Sequence, residues 1–263
     1  MKAAVIAGGV PPGQVVDLAH DLPAHGVPEA GFLLREMARN FPARSVHVAV
    51  VDPGVGGRRR PVAIATRSGP LLVGPDNGVL IPLAEALGLR SAHRIEPGRL
   101  ARRPPVGTTF DGRDLFAPAA VFLARGGRAG ALGPRMTPVS YSVPEALATR
   151  SGARGQVLHV DRFGNLITNI PSRWVETGVD CITLSSGRVR RRSVPWRTSY
   201  ESLGPGTLGA LGSSFGLVEV AVGEGRAADH LRARVGARVE LAWRGVPTVR
   251  GAKAKSARPR KPR

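Results

Sequence analysis

Short apolar runs alternate with stretches of helical period through the first half of the chain. Residues 46–51 (VHVAVV) read as a buried strand, 62–66 as a second and 71–73 as a third, each flanked by Gly or Pro. Around them, residues 28–40 and 79–87 carry apolar side chains three and four positions apart, the spacing of one helix face. Strands interleaved with helices predict an α/β fold with a mostly parallel central sheet, since a helical crossover returns the chain in its original direction. From about Ala153 the pattern changes to β-runs separated by Gly-rich turns, at 156–160, 166–170, 182–184, 207–211, 217–222 and 237–241. Few helices intervene, which predicts a smaller C-terminal β-barrel. The expected organisation is an N-terminal α/β domain over 1–138, a Pro-punctuated linker over 139–153, the barrel over 154–243 and a disordered basic tail over 244–263.

A length of 263 residues holds both domains, and 42% hydrophobic with 22% charged residues excludes wholesale disorder. The single cysteine, Cys181, excludes an internal disulfide framework, and no apolar run is long enough to span a bilayer. A cytoplasmic protein with no membrane association is the expectation. The excess of 38 Lys+Arg over 19 Asp+Glu invites a nucleic-acid reading. Eight of those basic residues, and no acid, fall in 244–263, so the tail is expected to make at most nonspecific nucleic-acid contact.

Four stretches could carry chemistry. In the first, Asp52-Pro53-Gly54-Val55-Gly56-Gly57 followed by Arg58-Arg59-Arg60, a strand delivers a carboxylate at its C-terminal end, where α/β sheets bind ligands. The bland alternative is an Asp that caps a turn. The second, residues 108–118 (TTFDGRDLFAP), crowds Asp111, Arg113 and Asp114 around Gly112 before an apolar helix, where Thr or Asp could be an N-cap. The third, 161–170 (DRFGNLITNI), sets Phe163 beside Gly164 and Asn165, as a tight turn would also do. The fourth, 212–222 (GSSFGLVEVAV), sets hydroxyls before a strand on which Glu219 faces away from Val218 and Val220. The histidines show no metal-ligand spacing, and His20, His47 and His159 read as core imidazoles. The run Arg188 to Arg192 reads as the solvated face of a β-hairpin.

Taken in order with Val16-Asp17-Leu18-Ala19-His20 and Gly74-Pro75-Asp76-Asn77-Gly78, these stretches resemble the S-adenosylmethionine (SAM) hydroxide adenosyltransferase family, relatives of the SAM-dependent halogenases. The resemblance implies an N-terminal α/β domain, a C-terminal barrel and homotrimers with inter-subunit active sites. It also implies a metal-free and cofactor-free attack of water or hydroxide on C5′ of the substrate SAM, giving adenosine and L-methionine. Asp52 matches the aspartate of the family's DPGVG turn, where the halogenases carry tyrosine, and Arg59 matches the arginine of its catalytic trio. Asp161, Asn165, Ser214, Glu219, the Val222 backbone and Asp52 itself are implied to hold the substrate, with Phe110 and Phe163 packing on the nucleoside.

Two departures follow. The trio's third member is a histidine in the family and Asp111 here, which is expected to act as a catalytic residue by sharing a proton with Asp52. Family members also begin with a strand and a ribose-binding aspartate ahead of a helix whose start matches Met1 to Ile6, so the first strand is expected to be missing. The alternatives to a hydrolase are a catalytically impaired adenosine- or SAM-binding protein and a basic nucleic-acid-binding protein.

Overall fold

The computed structural model describes residues 1–100, 107, 109–149, 151–175, 181–186 and 189–243. Thr108, Arg188 and the expected tail over 244–263 lie outside the described residues. The chain forms two compact units, Met1–Val143 and a second from Pro144 onward.

The first unit opens with helices α1 (Lys2–Ala7) and α2 (Val27–Ala38). Pro28 stands in the first turn of α2, where no N–H partner is lost, and Glu29 there faces the positive end of the helix dipole. Strands β1 (Val46–Val48), β2 (Pro61–Thr66) and β3 (Leu71–Pro75) follow, then α3 (Ile81–Ala86) and β4 (Leu89–Arg94). A π-helical turn over Gly112–Phe116 runs directly into α4 (Ala117–Ala124), and β5 (Arg135–Met136) completes the sheet.

The strand order is β1-β3-β2-β4-β5, and only β1 with β3 is parallel; the other three pairings are antiparallel. This corrects the expected mostly parallel sheet, and the cause is the connection between β2 and β3. Four residues are too few for a crossover. They close a tight hairpin instead, with Gly69 at φ +114° and the Thr66 hydroxyl donating to the Pro70 carbonyl at 2.8 Å. The crossover through α3 does join two strands of the same direction, β3 and β4, but β2 lies between them.

Both faces of this sheet are covered. Val62, Ile64 and Leu72 pack with Leu34, Leu80 and Leu83 of the α2 and α3 side, while Ala63, Ala65 and Val73 pack with Phe116, Ala119 and Leu123 of the α4 side. Two-sided burial is why these strands read as continuous apolar runs rather than alternating ones.

The second unit holds β6 (Leu147–Thr149), β7 (Gly152–Val160), β8 (Leu166–Pro171), β9 (Cys181–Ser186), β10 (Val189–Arg197), β11 (Leu208–Gly212), β12 (Leu217–Val222) and β13 (Arg238–Trp243), with one short helix, α5 (Ala227–Leu231). Seven strands form the ring β13-β9-β10-β11-β12-β8-β7, closed where β13 pairs antiparallel with β7 from Arg238↔Gln156 to Ala242↔Gly152. The expected barrel is therefore present, and closure leaves those strands without a free edge. Gly152 is required at the seam, because a Cβ there would stand 1.9 Å from the Leu241 carbonyl oxygen. Val157, Leu166, Ile170, Ile182, Leu184, Val220 and Leu241 fill the interior. β6 pairs with β7 outside the ring, so residues assigned to the linker by sequence are strand.

Candidate functional site

Within the first unit, Ala49 still donates its N–H to the Val73 carbonyl at 3.1 Å, and the chain runs on from there to Asp52. Asn77 supports this stretch by donating to the Val51 carbonyl at 2.8 Å. The turn after Asp52 is held by Val55 N–H to the Asp52 carbonyl and Gly57 N–H to the Gly54 carbonyl, with Gly56 at φ +74°. It folds Arg59 back onto Asp52, and a Cβ on Gly54 would sit 3.0 Å from Arg59 Cγ.

Arg59 Nε donates to Asp52 Oδ1 and Oδ2 at 2.9 and 2.8 Å, and Nη2 donates to Oδ2 at 2.5 Å. The same Nη2 also donates to Asp111 Oδ2. The Asp52 and Arg59 side chains are 5% and 12% exposed and Asp111 25%, so the cluster is largely withdrawn from water with one open side at Asp111. The guanidinium lies 5.3 Å over the Phe116 ring. Burial alone would lower its pKa, but the hydrogen bonds it donates to Asp52 and Asp111 outweigh that and raise it, so the cation is permanent.

Neither carboxylate plays the bland role weighed for it. Asp52 spends its side chain on Arg59 rather than on turn N–H groups, and Asp111, at the N-terminus of the π-helical turn, makes no capping bond. One guanidinium stands between the two carboxylates and serves both with charge-assisted bonds.

The neighbouring motif residues are structural. Arg60 donates to Asp76 Oδ2 at 3.1 and 2.6 Å, and Val139 N–H donates to Asp76 Oδ1 at 2.7 Å, so the buried Asp76 ties the turn to residues far along the chain. Asp76→Ala is expected to lower the unfolding free energy by about 1–3 kcal/mol, because these donors lose a buried acceptor; urea denaturation would read it. Arg113 forks onto its neighbour Asp114 and lies 4.7 Å over the exposed Phe110 ring. Thr109 is exposed. His20 is not the core imidazole expected: its side chain is 73% exposed and bonds Asp17 at 3.1 Å, because α1 leads into an exposed loop there. Lys2 reaches the same carboxylate at 2.6 Å and, with His20, holds Asp17 below the usual carboxylate range. His47 is buried edge-on against Phe41, with its Nε2 unpartnered.

The second unit gathers a separate cluster. Asp161 closes the turn into β8 by accepting from Asn165 N–H at 2.8 Å and from Asn165 Nδ2 at 3.1 Å. Gly164 in that turn adopts φ +85°, and a Cβ there would stand 2.7 Å from the Arg226 side chain. Across the sheet Val220 pairs with Leu166, which brings Asn165, Glu219 and Val222 to one end of the β8–β12 pair. As the alternation predicts, Val218 and Val220 face the core and Glu219 faces the other way. It is nevertheless buried, and accepts from the Tyr200 hydroxyl at 2.6 Å. Burial raises the Glu219 pKa, and the Tyr200 bond draws it back down.

Ser214 is not part of this cluster. It is exposed in the turn between β11 and β12, at the end where Leu217 pairs with Pro171. The four strand positions from Leu217 to Ala221 span about 13 Å. That turn spells Gly-x-Ser-x-Gly over 212–216 and the segment running into β11 spells Gly-x-Gly-x-x-Gly over 204–209, but one joins antiparallel strands and the other opens a strand. Neither has the strand-to-helix setting in which those patterns carry chemistry. Phe163 is exposed beneath the Arg162 guanidinium at 4.7 Å. Tyr200 is the residue that sequence reading missed. Nothing local marks it, since its partner lies 19 positions away and meets it only because residues 200–203 fold over β11 and β12, where Leu203 packs on Leu211 and Ala221.

Among the described residues no group of three or more His, Cys, Asp or Glu side chains is placed to hold a metal ion, and no helix is long and apolar enough to cross a membrane.

Comparison with known proteins covers both units. The profile of the SAM hydroxide adenosyltransferase N-terminal domain matches residues 1–133, and that of the C-terminal domain matches 155–240. A curated (R)-S-adenosyl-L-methionine hydrolase from Thermus thermophilus is 41% identical over 245 residues, 90% of this chain and 91% of that protein. One from Salinispora arenicola is 39% identical over 233 residues, 86% of this chain and 85% of that protein. The crystal structure of a conserved protein from Thermotoga maritima matches with a TM-score of 0.83 at 29% identity, covering 92% of this chain and 93% of that one.

Proposed function

The chain belongs to the SAM hydroxide adenosyltransferase family, and from that premise we propose that it is a SAM hydrolase, converting SAM and water to adenosine and L-methionine. The observation that carries this reading into the geometry is the Asp52–Arg59 pair: a buried carboxylate at the end of the β1 segment, fixed by a fork of hydrogen bonds.

The substrate needs little activation, because its sulfonium departs as a neutral thioether. What remains is to place a water in line with the C5′–S bond and take its proton. In this reading Asp52 accepts that proton as the water oxygen bonds C5′ and the C5′–S electrons return to sulfur. Arg59 holds the carboxylate in one orientation. Asp111, on the more open side of the guanidinium, offers a second acceptor that helps orient the water, and Asp52 gives up its proton to solvent as the products leave. The steps call for no metal or cofactor.

Asp161, Asn165 and Glu219, with the Val222 backbone, are inferred to bind polar groups of the substrate. Ser214, from the other end of β12, would meet a different part of an extended molecule, and Phe110 and Phe163 offer exposed rings for the nucleoside. We also infer a cytoplasmic homotrimer in which the catalytic cluster of one subunit meets the binding cluster of the next. The purified protein is expected to have the solution mass of three chains and to release adenosine and methionine in equal amounts from SAM. A chromatographic assay showing neither product above a protein-free control would sink the hydrolase reading.

A further inference from the structure

We propose that Tyr200 is a positioning residue of the substrate site: its hydroxyl fixes the Glu219 carboxylate, which with Asp161 locks the Asn165 amide so that Asn165 offers its Oδ1 to an N–H of the bound ligand. The inference rests on the hydrolase reading only for the identity of that ligand.

The argument starts from Glu219, a carboxylate only 4% exposed on the outward face of β12. A buried carboxylate is costly unless donors reach it. Tyr200 supplies one at 2.6 Å, and burial together with Glu219 raises the Tyr200 pKa far enough that the hydroxyl stays a donor. The other groups facing Glu219 are the Asp161 carboxylate, the Asn165 side chain and His159.

Asn165 is the hub of the set. Its Nδ2 donates to Asp161 Oδ2 at 3.1 Å, and the register that pairs Glu219 with Ile167 sets Asn165 and Glu219 diagonally on one face of the β8–β12 pair. An ionised carboxylate can only accept, so what either one takes from Asn165 is an amide hydrogen. The amide is thereby committed in polarity, with Oδ1 as its remaining function. If Glu219 swings away, that commitment halves and Asn165 can turn its donor side to the ligand. Tyr200 itself is half exposed, so its ring can be altered with little loss of core packing.

The test is Tyr200→Phe in the full chain, with adenosine affinity measured by calorimetry at about pH 5.5 and about pH 8. Tyr200 draws the Glu219 pKa down, so losing the hydroxyl lets burial push it further up, and Glu219 protonates at a pH where wild type is still ionised. The expected result is about tenfold weaker binding at the lower pH, the scale of one hydrogen bond to a charged group, and a much smaller loss at the higher one. Thermal unfolding stays close to wild type, and in a Glu219→Gln background Tyr200→Phe loses its pH dependence. Unchanged affinity at both pH values overturns the proposal, as does an equal loss at both that persists in the Glu219→Gln background. Wild-type protein that shows the expected Tyr200 dependence yet releases no adenosine from SAM overturns the hydrolase reading alone. Wild type that turns over SAM and is indifferent to Tyr200→Phe overturns the positioning role alone, and wild type that binds neither adenosine nor SAM overturns both.

Discussion

Asp52→Asn is expected to cut the turnover of SAM by about a hundred- to ten-thousandfold, the range that a positioned general base supplies, with KM little changed. The substitution keeps shape and removes two things. An amide cannot take the water proton, and it cannot accept at both ends of the fork that Arg59 presents, since one of its two groups is now a donor facing Nε or Nη2. The fold should survive, because Arg59 keeps Asp111 and the ring of Phe116 as partners. A variant with wild-type unfolding behaviour and no adenosine release would thus isolate chemistry from stability. Turnover within tenfold of wild type would mean that the proton goes elsewhere. Asp111→Asn is the natural comparison, because Asp111 contacts only one end of the guanidinium.

The elements were more legible in the sequence than their arrangement. Apolar period and turn residues locate β1 to β3, α2 and α3 in the first unit and most strands of the barrel, but not α1, β4, β5 or β6, and the change of texture near Ala153 marks the barrel. The sheet order was not legible, because helix–strand alternation reports how strands are connected and not whether a hairpin strand such as β2 slips between the two that a crossover joins. The site divides in the same way. A carboxylate at a strand end before a Pro-Gly turn stands out at Asp52, whereas three consecutive arginines have three fates: Arg58 is exposed, Arg59 bridges two carboxylates and Arg60 anchors Asp76. Spacing alone does not separate them, and Arg59 was singled out by family resemblance. Glu219 was found by its place in the strand alternation, but its burial depends on a segment that lies outside that strand. Tyr200 reaches Glu219 because residues 200–203 fold over β11 and β12, and the register sets Ser214 at the far end of β12.

Arg59→Leu is expected to be the most damaging single change in the first unit. It removes the one cation that stands between Asp52 and Asp111, and a largely buried carboxylate left without its partner costs far more than the intact pair contributed. The expected loss of unfolding free energy is about 3–5 kcal/mol, toward the lower figure because water reaches Asp111 from its open side. SAM hydrolysis should become undetectable, since both carboxylates proposed to act on the water lose their orientation at once. Arg59→Lys separates the two effects: an ammonium restores a positive charge but cannot serve both carboxylates with one rigid fork. Lysine should therefore recover most of the stability and little of the rate. If leucine at 59 unfolds with the wild-type midpoint, the cluster contributes no net stability. If lysine restores full turnover, charge rather than the fork is what Arg59 supplies to Asp52.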